Sequence, residues 1–175
     1  MRIRWGYRIV CLASIAVLAA MSGGVSAQGQ QAQRLSGLIN DYSAGAGGPW
    51  HVHADWEVQL KGESGKADFS AAVAMVKSDL WVVLTSADPA NTEARSPHTH
   101  HVSVSDGDVT TLANGIRVTG TATVTGSGNP LFVAPVQIDI TGGSVVPLSN
   151  IAVTFGDPAS THFGTAPLNG VVVRR

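Results

Sequence analysis

The sequence predicts an all-β protein: a single antiparallel β-sandwich or jelly-roll-like domain of about eight strands. Three observations carry this. Apolar and polar residues alternate with period two, as in residues 116–125, where Ile116, Val118, Ala122 and Val124 share one side and Arg117, Thr119, Thr121, Thr123 and Thr125 the other. Turn-forming residues recur every eight to twelve positions, the rhythm of an all-β sandwich or barrel. No convincing helical pattern separates the apolar segments, which argues against a parallel βαβ architecture.

In chain order, residues 1–27 read as an export signal. Arg2, Arg4 and Arg8 precede an apolar run of 13 residues, Ile9 to Met21, and Val25-Ser26-Ala27 offers the small residues of a cleavage site. Residues 28–49 form a polar leader and a glycine-rich loop, and residues 50–175 form the β-domain. Within the leader, Leu35, Leu38, Ile39 and Tyr42 fit one short amphipathic helical turn or an edge strand equally well. Trp50 to Leu60 is the first clear strand, turned by Lys61-Gly62-Glu63-Ser64-Gly65-Lys66 into Ala67–Lys77. Leu80–Leu84 is an apolar run suited to a strand buried on both sides, and Ser86–Pro97 a long polar loop. His98–Ser105 follows, and Asp106-Gly107 reads as a tight hairpin turn into Val109–Leu112. The alternations 116–125, 136–140 and 151–155 come next, and Val171 to Val173 closes the chain.

Composition excludes several function classes. Without the signal, 148 residues remain, a size for one domain with a substantial core. Eight basic residues then face twelve acidic ones, a net charge of −4, so the basic footprint of a nucleic-acid binder is missing. The single cysteine, Cys11, lies within the signal. The exported chain therefore has no disulfide and no thiolate ligand, and any metal must be held by histidine, carboxylate or backbone oxygen. Thirteen apolar residues are too few for a stable membrane span once the signal is cleaved, so the expected location is periplasmic or extracellular. No motif for a nucleotide or organic cofactor is present.

The six histidines fall in three places: His51 and His53; His98, His100 and His101; and His162. Residues two apart on a strand point the same way, about 6.5–7 Å apart, so a His-x-His pair can converge on one cation. These six are the candidate ligands of a divalent transition metal, zinc or copper, both of which suit imidazole. The alternation separates them. His51 and His53 oppose Val52, Trp56 and Val58, so they face away from the core with Asp55 and Glu57. His101 joins that outer face, whereas His98 and His100 share a side with Val102 and Val104 at a core rim. His162 sits in a loop, able to reach either group, and His101 is the face-consistent partner of His51 and His53.

The spacing Gly45-x5-His51-x-His53-x3-Glu57 resembles the first motif of the cupins, a jelly-roll family. That resemblance implies a cupin-like metalloenzyme with His51, His53 and Glu57 as ligands. The family's later glycine is out of place here, and its second motif is not recognisable around His98 or His162. His51-Val52-His53 also looks like the paired histidines of the copper/zinc superoxide dismutases, without the remaining residues of that site. Other chemistry is thinner: Asp55 and Glu57 share a strand face, no Gly-x-Ser-x-Gly elbow occurs, and Asp106-Gly107-Asp108 lacks the ligand run of a calcium loop. Trp50, beside Gly47-Gly48-Pro49, is the aromatic best placed for exposure, so a non-catalytic envelope or glycan-binding module with incidental histidines is the competing expectation. Whether the protein is an enzyme is left open by the sequence.

Overall fold

The computed structural model describes residues 33–46, 48–77, 97–126, 129–142 and 148–174. They form eight strands: β1 (Gln33–Ser43), β2 (Trp50–Leu60), β3 (Lys66–Lys77), β4 (His98–Leu112), β5 (Gly115–Gly126), β6 (Asn129–Thr141), β7 (Asn150–Phe155) and β8 (Leu168–Arg174). A single 3₁₀ turn, Gly62–Ser64, joins β2 to β3, and a short helix, α1 (Ala159–Phe163), lies between β7 and β8. Each strand pairs antiparallel with the next, and β8 returns to β1, so the sheet closes into an up-and-down barrel.

The all-β, eight-stranded expectation holds, and the sandwich or jelly roll is corrected to a closed barrel. The deciding contact is β1 against β8, with Gly37 opposite Val172, Leu38 opposite Val171 and Ile39 opposite Gly170. A sandwich leaves sheet edges; this pairing removes them. Period-two alternation is the same in both architectures, so the strand pattern could not separate them.

The barrel interior is filled by the inward side chains of every strand, as the diameter of eight strands requires. Val52, Ala54, Trp56 and Val58 come from β2, Phe69, Ala71, Val73 and Met75 from β3, and Val136, Ile138 and Ile140 from β6. Ile151, Val153 and Phe155 come from β7, and all of these are buried as the alternation predicts. Each such aliphatic side chain contributes about 1.5–3 kcal/mol when fully buried. The outward positions of β2 to β5 carry mainly threonine, serine, histidine and charged residues, whereas β1, β6 and β8 expose Leu38, Tyr42, Leu131, Val133, Val171 and Val173. No helix among the described residues is long and apolar enough to cross a membrane.

Two local expectations change. Residues 33–43 are a strand within the barrel, inward at Leu35, Gly37 and Ile39, so the helical reading of Leu35–Tyr42 fails and the β-structure begins before Trp50. Asp106-Gly107 is not a hairpin turn. Strand β4 runs on through it, the register against β5 shifting between Val104 and Asp108, and Asp106 takes a φ of 55°. A bulge and a tight turn both call for positive φ, so the same dipeptide serves either. Asp106 is held there by Lys61, whose Nζ donates to its Oδ1 at 2.6 Å, while its own N–H donates to Asp68 Oδ1 at 2.9 Å. The strand expected at Leu80–Leu84 lies outside the described residues.

The closing seam depends on glycine. A Cβ on Gly37 would lie 1.9 Å from the Val171 carbonyl oxygen and 2.9 Å from the Trp56 ring, and one on Gly170 would lie 2.1 Å from the Leu38 carbonyl oxygen. The strands approach too closely for side chains at either point. Gly37→Ala is therefore expected to lower the unfolding free energy by about 2–3 kcal/mol through overpacking. Ser36→Ala, on the outer wall beside it, should stay within about 0.5 kcal/mol; urea titration of both variants checks the difference.

Candidate metal centre

Antiparallel order places one end of the barrel at the starts of β2, β4, β6 and β8 and the ends of the other four strands. There β4 opens with His98 and His100, on the same inward side as Val102 and Val104. Helix α1 lies across this mouth. Its Ala159, Ser160 and Phe163 are buried, Phe163 stacks on Phe155 with ring centroids 4.6 Å apart, and His162 points at the β4 histidines.

The three imidazoles converge. His162 Nε2 lies 2.9 Å from His100 Nε2 and 3.2 Å from His98 Nε2, and one ligand atom from each residue fits within 4.8 Å of the others. Tetrahedral zinc with nitrogens at its usual bond length sets ligand atoms about 3.3 Å apart. The two distances to His162 Nε2 are thus close to those a shared cation would set. A proton can serve one such pair at a time, so hydrogen bonding alone leaves the third lone pair facing its neighbours.

Burial sets the charge of the site. The His162 imidazole is held down to about 4, first by desolvation and then by His100 and His98. His100 is shifted down as well, by burial first and by His98 second, with a backbone contact at Thr125 opposing. Both are neutral at pH 7, with lone pairs free to bind metal. The Nδ1 of His100 is buried with no well-formed hydrogen bond among the described residues. Beside it Gly126 leaves space, since a Cβ there would come within 3.4 Å of that atom.

Aromatic rings frame the group. The edge of Trp50 meets His98 at 4.9 Å, Phe163 meets His100 at 5.4 Å, and Phe132 lies 5.6 Å from His162. The strap after β1 holds the helix by its carbonyls. Ala46 N–H donates to Thr161 at 2.7 Å and Ser43 Oγ to Phe163 at 2.5 Å. Trp50 Nε1 donates in turn to the Ala46 carbonyl at 3.1 Å. Gly45 passes so close that a Cβ would sit 1.7 Å from the His162 carbonyl oxygen.

No family model, curated protein or solved structure matches this chain. The reading of the site therefore rests on its own geometry.

Of the six candidate histidines, the structure brings together His98, His100 and His162. His51 and His53 stand on the outer wall of β2, where they pair with each other. His101 points outward from β4, opposite Ala72 of β3, which in turn faces Asp55 rather than either histidine of β2. Two strand spacings, roughly 10 Å, separate it from β2, so His101 does not complete a site with them. The cupin-like ligand set is corrected on two counts: the fold is a single closed meander, and Glu57 pairs with Arg34 at 3.2 Å on the outer wall. Trp50, expected to be exposed, is 6% accessible and closes the mouth against His98. What sequence reasoning missed was the supporting shell, Trp50, Phe132 and the Ser43–Ala46 strap. The signal for it was Trp50 at the head of a strand whose even-numbered positions all face inward.

The shifted histidines give the metal-free protein an acid sensitivity. In the unfolded chain His162 titrates near its ordinary 6.5, and in the folded protein near 4. Below 6.5 the unfolded state takes up a proton that the folded state refuses, so stability falls as pH drops from 7 towards 4 and levels off beyond it. The thermal midpoint of metal-free protein should fall over this range, and fall less in His162→Leu; an equal slope in both would contradict the assignment.

Proposed function

We propose that this chain is a metal-binding barrel that holds a divalent transition metal ion, zinc or copper, on His98, His100 and His162. The convergence of three imidazole Nε2 atoms at the barrel mouth is the observation that carries the reading. An all-imidazole set suits zinc and copper and gives calcium or magnesium none of the oxygen ligands they need. Three protein ligands leave a coordination position for solvent or a small donor, as open zinc sites do. Among the described residues no carboxylate belongs to the group, and the geometry supports binding. The ion would also tie α1 to β4, joining the plug of the barrel to its wall.

The protein is further proposed to act outside the cytoplasm, on the charge and apolar pattern of its first 27 residues. N-terminal sequencing of the exported protein should begin at Gln28; a chain beginning elsewhere within the β-domain would count against that division.

Elemental analysis of untagged protein tests the metal. About one equivalent of zinc or copper is expected, falling below about a tenth in His100→Ala or His162→Ala. Gly45→Ala, which removes no ligand but displaces the His162 backbone, should weaken binding at least tenfold while keeping the strand-rich circular dichroism. Saturating metal at a hundred times its dissociation constant should add about 2.7 kcal/mol to stability. Metal-free protein with no thermal shift on adding zinc or copper would overturn the reading.

A further inference from the structure

The outer wall carries a second group of metal-ligating side chains that the mouth does not use. His51 and His53 project from β2, and Asn40 and Tyr42 from β1, with Asn40 opposite His53 and Tyr42 opposite His51. The His51 and His53 rings lie 4.2 Å apart between centroids, tilted by 56°. Tyr42 stacks on His51 at 4.7 Å and 12°, which fixes the plane of that imidazole.

The Asn40 contact decides which nitrogen is free. His51 Nε2 lies 2.8 Å from Asn40 Oδ1. A carboxamide oxygen only accepts, so Nε2 carries the proton and donates it. The lone pair of His51 is then on Nδ1. This is the arrangement found around bound metals, where a ligating histidine gives its other ring N–H to an oxygen that holds the ring in place. On β3 the outward neighbour of His53 is Ala74, a small side chain.

We infer that His51 and His53 form a second, surface site for a copper(II)-type cation, independent of the mouth, with Asn40 as the residue that fixes the His51 tautomer. Two imidazoles supply half of a tetragonal sphere and water supplies the rest. Among divalent first-row ions copper binds such nitrogen sites most tightly. The site is weaker than a three-histidine one because it offers fewer protein ligands and stays open to water. It shares no residue with His98, His100 or His162, and the two face opposite sides of the barrel wall.

The test uses the whole untagged protein, first saturated with zinc and then titrated with copper(II), read by electron paramagnetic resonance and calorimetry. One further equivalent of copper is expected, with nitrogen hyperfine structure from two imidazoles. His51→Ala and His53→Ala should each weaken it at least tenfold, and together abolish the two-nitrogen signal. These side chains lie on the wall, so the barrel should keep its circular dichroism. Asn40→Ala should weaken the site several-fold while Asn40→Asp, which restores an oxygen acceptor, recovers it; a role in folding alone would not follow that order. A His98→Ala/His100→Ala/His162→Ala variant should keep this copper, which separates the outcome from that at the mouth. A copper signal unchanged in the double histidine variant, or no copper bound to zinc-saturated protein, would overturn the proposal.

Discussion

Closure of β8 onto β1 is the constraint on which the rest of the structure depends. An open sheet with one covered face allows a residue near its edge to be half in and half out. A closed sheet gives each position along a strand a fixed side. That closure requires the two backbones to meet without side chains between them, which Gly37 and Gly170 provide. Once the seam is shut, period-two geometry sorts the histidines with no further choice. His98 and His100 continue the inward row of Val102 and Val104, while His51, His53 and His101 stand on the wall.

An inward row needs a lid where it reaches the barrel's end, because buried side chains there would otherwise meet water. The lid is α1, and its five residues are too few to be stable as an isolated helix. Its position comes from tertiary contacts: Phe163 against Phe155, and the carbonyls of Thr161 and Phe163 accepting from the strap at Ala46 and Ser43. Each such hydrogen bond contributes about 1 kcal/mol net, so the helix is held by several modest interactions and no dominant one. Trp50 ties the system together, bonding the strap through its indole N–H and meeting His98 with its ring edge. The geometry of the histidines is therefore set from both sides, by strand register on β4 and by strap and stacking on α1.

Much of this was legible in the chain. The inward rows of β2, β3, β5, β6 and β7 follow directly from alternation, and the division of the β4 histidines between rim and outer wall did too. Closure was not legible, because alternation records which side is apolar and not whether the last strand returns to the first. The pairing of His162 with His98 and His100, 64 and 62 residues away, was not legible either. It depends on where a short irregular connection crosses the mouth, and nothing local to Ser160-Thr161-His162-Phe163 encodes that. Asp106-Gly107 differs for another reason: Asp106 takes the positive φ that a turn also calls for, and the register of the neighbouring strands makes the dipeptide a bulge. The first His-x-His pair drew the cupin comparison because its spacing is a motif, whereas the second pair gained its partner only in three dimensions.

The composition of the mouth is hard to explain by stability alone. A filled eight-stranded barrel needs an apolar cap, and α1 already offers Ala159 and Phe163. Leucine or phenylalanine at position 162 would continue that surface. Histidine there instead brings three imidazoles together, His100 buried and His98 and His162 half-buried, and a buried polar group without full hydrogen bonding costs about 1–3 kcal/mol. His100 and His162 are held neutral by that same burial, so neither gains from charge. These features cost stability without an ion and are what a divalent ion uses: donors held neutral at His100 and His162, and ring nitrogens that converge. A single cation would offset both costs at once. That is why the mouth, and not the more obvious histidine strand on the wall, is the better place to look for what this protein does.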